Sequence, residues 1–203
     1  MQRLGIFGGT FNPPHKGHIY IAKQAISLAE LDEILFIPCG NPPHKMVEGN
    51  VEASKRFEMT RLAIKNIPKF EISDIELKAN QKSYTAKTLE KLKEMYPDKT
   101  LCFVVGGDSL RDLESWYHPE IVFALAEIIA VSRKDVDRAE AQTRADYYRQ
   151  KYNANVRLIE VDPMDISSSE IRDRIKKGQD VSGLIDEQVF DFIKKNGIYK
   201  DSI

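Results

Sequence analysis

The chain has 203 residues, a formal net charge of −1 and 42% hydrophobic residues. This length suits one globular domain over residues 1–203, and the near-neutral charge excludes a strong basic field for nucleic acid or a membrane surface. No apolar run could span a bilayer, and the N-terminus enters a strand pattern without a signal peptide. With only Cys39 and Cys102, the chain lacks a disulfide framework and indicates a reducing, cytoplasmic setting.

Strand and helix patterns alternate along the first half of the chain. Residues 4–7 predict a short buried strand, and apolar residues at helical spacing predict a helix from Ile19 to about Ala29. A second buried strand covers 33–37 and ends at a proline-rich loop. The next patterns predict a helix over roughly 51–66 and a strand over 70–77.

The second half continues this alternation. Thr85 can cap a helix that ends before Pro97. The strongest buried strand covers 101–105 and ends at a turn formed by 106–108. The remaining predicted elements are, in chain order, helical pieces at 110–116 and 119–126, a strand at 128–131, a polar helix over 137–152, a strand at 156–161 and two helices near the C-terminus.

This alternation predicts an α/β fold with a doubly wound parallel sheet covered on both faces, followed by a small helical segment over about residues 165–203. Ligands of such sheets bind beyond the carboxyl ends of the strands, where the strand order reverses. The glycine-rich and proline-rich turns all follow predicted strands, so we expect them to meet at one crevice.

Residues 8–18 (GGTFNPPHKGH) form the densest motif of the chain. A glycine turn between a strand and a helix N-terminus can hold phosphate, because backbone N–H groups there lack partners and the helix dipole favours negative charge. Gly8 and Gly9 would let the backbone turn tightly, and His15 and His18 would project toward one point. Two alternatives are a structural turn with exposed histidines and a metal site. The metal site ranks lower because zinc normally takes more protein ligands than these two.

Two stretches of the chain resemble known signatures. Residues 8–18 resemble the T/HxGH signature of the nucleotidyltransferase superfamily, and residues 166–172 (ISSSEIR) resemble its second signature, a serine-rich turn followed by isoleucine-x-arginine. With the stretches at 41–45, 83–85 and 106–108, the chain is similar to the bacterial nicotinate mononucleotide adenylyltransferase family from residue 4 to about residue 199. Asn12 stands where many family members carry aspartate, but asparagine can still form a local turn hydrogen bond.

The resemblance implies a Rossmann-like nucleotidyltransferase fold and a reaction between ATP and nicotinate mononucleotide. The 5′-phosphate of the mononucleotide would attack the α-phosphorus of ATP, so that pyrophosphate leaves and nicotinate adenine dinucleotide forms as a step of NAD biosynthesis. No covalent enzyme intermediate is implied, so catalysis rests on aligning two anions and stabilising charge on the transferring group. Mg²⁺ is expected as a partner of ATP and needs no dedicated carboxylate cage.

For ATP, the resemblance implies that His15 and His18 contact the phosphates and that His18 stabilises the α-phosphate in the transition state. Ser168 and Ser169 would donate to the β- and γ-phosphates while Arg172 adds charge, although a plain capped helix is the alternative for this stretch. The predicted catalytic residues are His15, His18, Lys45 and Arg172. The predicted ATP-binding residues are Gly8, Gly9, Thr10, Phe11, His15, His18, Gly106, Asp108, Arg133, Ser168, Ser169 and Arg172.

Some polar residues admit two interpretations. Ser167 and Glu170 fit a capping box at the start of the second signature's helix. Lys45, on a loop, would reach phosphate, or its side chain is simply solvated. Arg133, at the end of a strand, would reach the pyrophosphate end of ATP, or it forms an ion pair with a nearby aspartate.

For the acceptor, the resemblance implies that Thr85 reads the nicotinate carboxylate and that Trp116 stacks on the pyridine ring. The only tryptophan of a chain is also typical of a partly buried core. Asp108 would bond a ribose or the acceptor, or it shapes the turn. The predicted acceptor-binding residues are Lys45, Thr85, Asp108 and Trp116.

Three other functions compete with this prediction. The first is a nucleotidyltransferase for another acceptor, such as phosphopantetheine or nicotinamide mononucleotide. The second is a fragment of a class I aminoacyl-tRNA synthetase, which the short chain and the lack of a basic face disfavour. The third is a nucleotide sensor that binds ATP without turnover, which the presence of His15, His18 and Arg172 disfavours.

Overall fold

Within residues 1–42, 47–78, 82–133 and 138–199, which the computed structural model describes, six strands form one sheet; for Arg133 only the backbone is described. The strands are β1 (Arg3–Gly9), β2 (Glu33–Pro38), β3 (Phe70–Ile72), β4 (Thr100–Gly106), β5 (Ala126–Arg133) and β6 (Val156–Val161). Their order across the sheet is β3-β2-β1-β4-β5-β6. Buried, nearly continuous apolar strands such as β4 are typical of parallel sheets that are covered on both faces.

Helices alternate with these strands along the described part of the chain. They are α1 (Lys16–Leu28), α2 (Ala53–Ile64), α3 (Thr85–Met95), α4 (Gly107–Asp112), α5 (Pro119–Leu125), α6 (Arg138–Tyr152), α7 (Ser168–Lys176) and α8 (Glu187–Lys195). Two short 3₁₀ helices cover Glu48–Asn50 and Leu113–Ser115. The predicted α/β fold with a doubly wound sheet is confirmed.

The strand order reverses between β1 and β4. These two strands are parallel, with Arg3 opposite Thr100 and Ile6 opposite Phe103. β4 pairs in parallel with β5, and β5 pairs in parallel with β6. In a doubly wound sheet this reversal is the place where ligands bind at the carboxyl ends of the strands.

The predicted strand over 70–77 is wrong beyond Ile72. Ser73 still donates its N–H to the carbonyl of Phe36 at 2.9 Å, but Leu77 then donates to the carbonyl of Asp74 at 2.9 Å and closes a turn. The Ser73 hydroxyl accepts from the N–H of Ile75 at 3.3 Å. Serine and aspartate side chains compete for backbone partners in this way, and the alternating apolar residues alone do not reveal it.

The chain divides into two compact units. The first unit comprises Met1–Phe7, Ile21–Leu35 and Ser83–Pro163. Its core contains the fully buried residues of β4 and β5 and Tyr148 of α6, whose hydroxyl donates to the carbonyl of Leu110 at 2.8 Å. This unit carries the predicted acceptor-binding residues of the described part of the chain.

The second unit comprises Gly8–Tyr20, Phe36–Lys82 and Met164–Ile203. It contains both signatures and the predicted C-terminal helical segment with α7 and α8. Its core consists of Val51, Met59, Ile171, Val181, Ile185, Val189, Ile193, Ile198 and Tyr199. That residues 1–203 form a single domain stays a prediction.

Candidate active site

Strand β1 extends further into the first signature than the sequence predicts. β1 runs through Gly8 and Gly9, so the predicted turn at these glycines is wrong; the backbone turns at Phe11, which has a φ of 48°. A Cβ atom on Gly9 would lie 2.8 Å from the ring of Phe11. Gly9 is therefore needed for the close approach of this ring rather than for a turn of its own.

The Phe11 side chain is buried and packs against the ring of His18. It is 2% exposed, and its ring meets the ring of His18 edge-on, with centroids 5.1 Å apart and planes at 73°. It also contacts Phe36, with centroids 5.8 Å apart. The side chain of Phe11 thus belongs to the core, while its predicted contact with ATP stays a prediction.

His15 and His18 form a packed pair at the start of α1. Their ring centroids are 3.7 Å apart, and the N–H of His15 donates to Nδ1 of His18 at 3.2 Å. A Cβ atom on Gly17 would approach Nδ1 of His15 to 3.0 Å, so glycine leaves room for this imidazole. The expectation that the two rings lie together is confirmed.

Both imidazoles are neutral at pH 7 in this structure. Burial lowers the pKa of His15 to about 4. His18 keeps part of its surface, but loss of hydration and the adjacent His15 lower its pKa well below the usual value. Because Nδ1 of His18 accepts a hydrogen bond, its proton resides on Nε2, which is the remaining donor. Nδ1 of His15 is buried and without a hydrogen-bond partner among the described residues.

The amides at the start of α1 have internal partners. Lys16 donates its N–H to the carbonyl of Leu184 at 2.9 Å, and His18 donates to the carbonyl of His15 at 2.9 Å. The expectation that these N–H groups lack partners is therefore wrong for His15, Lys16 and His18, whose partners are the ring of His18, the carbonyl of Leu184 and the carbonyl of His15, respectively. The imidazoles, rather than these three amides, are what this helix start offers to an anion.

The second signature begins α7 beside the first. Ser167 is the N-cap and accepts from the N–H of Glu170 at 3.2 Å, which confirms the Ser167 half of the predicted capping box. The Glu170 carboxylate pairs with Arg174 at 2.7 Å. The Ser168 hydroxyl donates to the carbonyl of Pro13 at 2.9 Å, so the start of α7 is bonded to the first signature. The exposed Ser169 hydroxyl lies 3.1 Å from the hydroxyl of Ser167.

Arg172 binds the first signature from α7. It is 7% exposed, and its Nη1 donates to the carbonyl of Asn12 at 2.8 Å. Its Nη2 pairs with the carboxylate of Glu48, and its Nε is buried without a partner among the described residues. The guanidinium thus joins the first signature to Glu48, and its Nε–H is the group that has no partner among the described residues.

In the first unit, the structure places Thr85 and Trp116 on neighbouring segments. Thr85 is the first residue of α3, and Tyr84 is the N-cap, so the predicted cap at Thr85 is displaced by one residue. The Tyr84 and Tyr117 rings pack with centroids 4.4 Å apart, which brings the two segments together. Trp116 is half-buried and meets Phe103 edge-on, with centroids 6.1 Å apart.

The end of β4 leads directly into a helix. Gly106 is the last residue of β4, and Asp108 lies in the first turn of α4, so the predicted turn at 106–108 is wrong. A Cβ atom on Gly106 would have no neighbour within 4 Å, so the space beside this residue is open. The Asp108 carboxylate accepts from Arg111 at 2.7 Å, and its side chain is 90% exposed.

Two predicted site residues cannot be located in this way. Lys45 lies outside the described residues, and Arg133 ends β5 with only its backbone described. Among the described residues, no group of three or more His, Cys, Asp or Glu side chains has the arrangement of a metal site. In the same part of the chain, no helix is both long and apolar enough to cross a membrane.

Comparisons with known proteins identify the family. Residues 6–174 match the family model described as cytidylyltransferase-like. The chain belongs to the cytidylyltransferase-like family. It is 40% identical over 198 residues to a probable nicotinate-nucleotide adenylyltransferase of Carboxydothermus hydrogenoformans, with 98% of each chain covered. A probable nicotinate-nucleotide adenylyltransferase of Clostridium tetani is 38% identical over 200 residues, which cover 98% of this chain and 100% of the relative.

A solved structure supports the fold of this family member. The Plasmodium falciparum nicotinic acid mononucleotide adenylyltransferase complexed with NaAD superposes with a TM-score of 0.79 and 23% identity, covering 98% of both chains. The resemblance inferred from the two signatures is thus confirmed at the level of family and fold.

The sequence motifs of this cytidylyltransferase-like protein do not reveal the residues that hold its first signature. Arg56 of α2 is 1% exposed and donates to the carbonyls of Thr10 at 2.8 Å and Gly40 at 3.0 Å. Its only sequence signal is its place in the buried stripe of α2, shared with Met59. A buried cation needs such acceptors, because unpaired burial is costly. Tyr199 also bonds to this signature, and no motif indicates it.

Proposed function

We propose that the protein transfers the adenylyl group of ATP to nicotinate mononucleotide and releases nicotinate adenine dinucleotide and pyrophosphate, in NAD biosynthesis. The observation that carries the proposal is the histidine pair bonded to the second signature within one unit. His15 and His18 pack together, and Ser168 and Arg172 donate to the carbonyls of the residues just before them. Full-length relatives at 38–40% identity bear the name of this activity.

His18 stabilises the transition state through its neutral ring. Its Nε2–H donates to an oxygen of the α-phosphate as negative charge builds up there, and His15 contacts the neighbouring phosphate oxygens. An oxygen of the acceptor phosphate forms a bond to the α-phosphorus, while the bond from that phosphorus to the bridging oxygen of pyrophosphate breaks. No side chain becomes covalently attached, so the chain contributes alignment and charge stabilisation.

The second signature holds the outer phosphates of ATP. Ser168 donates through its backbone N–H, because its hydroxyl is bonded to Pro13, and Ser169 donates through its hydroxyl, so that the two residues bind the β- and γ-phosphates while Arg172 adds positive charge. Lys45 and Arg133 supply further positive charge to the triphosphate. The further ATP-binding residues of this proposal are Gly8, Gly9, Thr10 and Phe11 in the second unit, at the end of β1 and just after it, and Gly106 and Asp108 in the first unit, at the end of β4 and in α4.

ATP enters as its Mg²⁺ complex. Mg²⁺ prefers octahedral oxygen coordination and keeps several waters, so phosphate oxygens can hold it.

The first unit binds the acceptor. The Thr85 hydroxyl, at the first residue of α3, reads the nicotinate carboxylate, because a helix start favours negative charge. Trp116 stacks on the pyridine ring, and Asp108 and Lys45 bond the ribose and phosphate of the mononucleotide.

Pyrophosphate release tests this function. The purified protein is supplied with ATP, Mg²⁺ and either nicotinate mononucleotide or nicotinamide mononucleotide. Fast release with the acid and slow release with the amide are expected. Equal rates would remove the carboxylate role of Thr85 but keep adenylyl transfer, whereas no release with either acceptor would overturn the proposed function.

A further inference from the structure

We infer that Tyr199 is a positioning residue that holds the histidine loop, the segment of residues 10–15 between β1 and α1, through the side chain of Asn12. This inference rests on the proposed function. The two residues are 187 positions apart, and the Tyr199 hydroxyl donates to Oδ1 of Asn12 at 2.7 Å in a buried hydrogen bond. Neither signature contains Tyr199, which follows α8 near the C-terminus.

Asn12 is the point at which several segments meet the first signature. Its Nδ2 donates to the carbonyl of Glu48 at 2.9 Å, and its own carbonyl accepts from Arg172 at 2.8 Å. Asn12 is 5% exposed; its bonds to Arg172 and Tyr199 are buried, and its bond to Glu48 is partly buried. One residue of the histidine loop is thereby fixed by the Tyr199 hydroxyl, a loop carbonyl and α7.

The Tyr199 ring is itself held firmly. It is 6% exposed and belongs to the core cluster of the second unit together with Ile193 and Ile198. Its φ of 64° lies in the left-handed region, which non-glycine residues adopt only where the surroundings require it. Burial raises the pKa of this phenol, so its hydroxyl remains a donor and Oδ1 of Asn12 remains the acceptor.

Loss of this hydrogen bond would act on the histidines through the backbone. Without the hydroxyl, a buried carbonyl oxygen of the Asn12 amide is unpaired, and the amide can give up its bond to Glu48. The carbonyls of Asn12 and Pro13, which receive Arg172 and Ser168, then lose their fixed positions. His15 follows directly after Pro14, so the pre-arranged donor pair loosens, and donors that must reorganise stabilise a transition state less well.

Tyr199→Phe tests the inference against a matched control. Tyr148→Phe also removes one buried tyrosine hydroxyl, which donates to the Leu110 carbonyl at 2.8 Å in the first unit. Both variants are expected to show similar losses of Tm. Only Tyr199→Phe is expected to lower kcat/KM for ATP, by about tenfold, which is the rate equivalent of one lost buried hydrogen bond. The KM for nicotinate mononucleotide is expected to stay unchanged in both.

A double-mutant cycle with Asn12→Ala tests the pathway. If Tyr199 acts through Asn12, the double variant has about the same kcat/KM for ATP as Asn12→Ala alone. Additive losses, or equal activity losses in Tyr199→Phe and Tyr148→Phe, would overturn the inference. If Tyr199→Phe does not fold, Asn12→Ala tests the same hydrogen bond from its other end. An inactive wild-type protein would instead count against the proposed function, so the two failures are distinguishable.

Discussion

The two units present their candidate site residues in different ways. In the second unit, His15 and Arg172 are 9% and 7% exposed. Hydrogen bonds from Ser168 and Arg172 of α7 fix the carbonyls of Pro13 and Asn12, just before His15. In the first unit, the Asp108 side chain is 90% exposed, and Thr85 and Trp116 are half-buried. The side chains of His15 and Arg172 are therefore held in place before any ligand binds, whereas those of Asp108, Thr85 and Trp116 have space in which to move.

This contrast matches two different tasks. Groups that stabilise a transition state gain most when they are already in place, because they do not reorganise as charge develops. Groups that bind a ground-state acceptor can settle around it. We therefore expect substitutions in the second unit to lower kcat or kcat/KM, and substitutions in the first unit to raise the KM of the acceptor.

Among the substitutions in the second unit, His18→Ala is expected to have the largest effect. Removal of one transition-state donor is expected to lower kcat by about 100- to 1,000-fold, while circular dichroism shows an intact fold. His18→Gln keeps a neutral N–H near the position of Nε2 and should recover part of the loss. Wild-type turnover in the alanine variant would remove His18 from the mechanism, and equal loss in both variants would contradict the assigned tautomer.

The pH dependence of stability reports the burial of His15. Its pKa is about 4 in the folded chain and about 6.5 in an unfolded one, so only the unfolded chain takes up a proton between these values. The free energy of unfolding is expected to fall as the pH falls from about 6.5 to about 4, by up to about 3 kcal/mol from this residue. Urea titrations of wild type and His15→Gln measure it. A variant with the same pH slope as wild type would contradict the buried, neutral imidazole.

Arg172→Lys tests the buried arginine of α7 against a second arginine on the same helix. Lysine lacks the planar guanidinium that directs separate N–H groups to Asn12 and Glu48, so the KM for ATP is expected to rise about tenfold and stability to fall by about 1–3 kcal/mol. Arg174→Lys is the matched control, because the Arg174 side chain is 41% exposed and pairs with Glu170 on the same helix. That variant should change stability by less than about 0.5 kcal/mol. Steady-state kinetics and thermal unfolding measure both, and equal effects would refute the special role of Arg172.

Thr85→Val has the smallest expected effect. Loss of its hydroxyl should raise the KM for nicotinate mononucleotide by about fivefold to tenfold and leave the KM for ATP unchanged. Thr143→Val is the control in the same unit, because its hydroxyl donates to the Ala139 carbonyl of its own helix. A rise in the KM for ATP that equals the rise for the acceptor would place Thr85 outside the acceptor site.

Local patterns account for much of the fold. Continuous apolar runs predicted β2, β4 and β6 to within about two residues, because strands that are buried on both faces need no polar side. The cap at Ser167 and the pairing of His15 with His18 also depend on neighbours a few residues away. Such features can be predicted because the interacting groups lie on the same short segment.

Hydrogen bonds to partners outside the apolar pattern account for two of the errors. The apolar spacing of residues 70–77 is compatible with a strand, but Ser73 and Asp74 begin a turn. The amides at the start of α1 were expected to be free, but Leu184 and the ring of His18 satisfy two of them. Each outcome depends on a partner whose position the local pattern does not specify.

The order of strands and helices along the chain, the two signatures and, through them, the family follow from the amino-acid sequence. The folded chain is needed to show that Tyr199 binds Asn12, that Arg56 binds Thr10, and that Arg172 binds the first signature and Glu48. These contacts join residues 46 to 187 positions apart. Hydrogen bonds act over a few ångströms of space, so only the folded chain can show which distant residues share one.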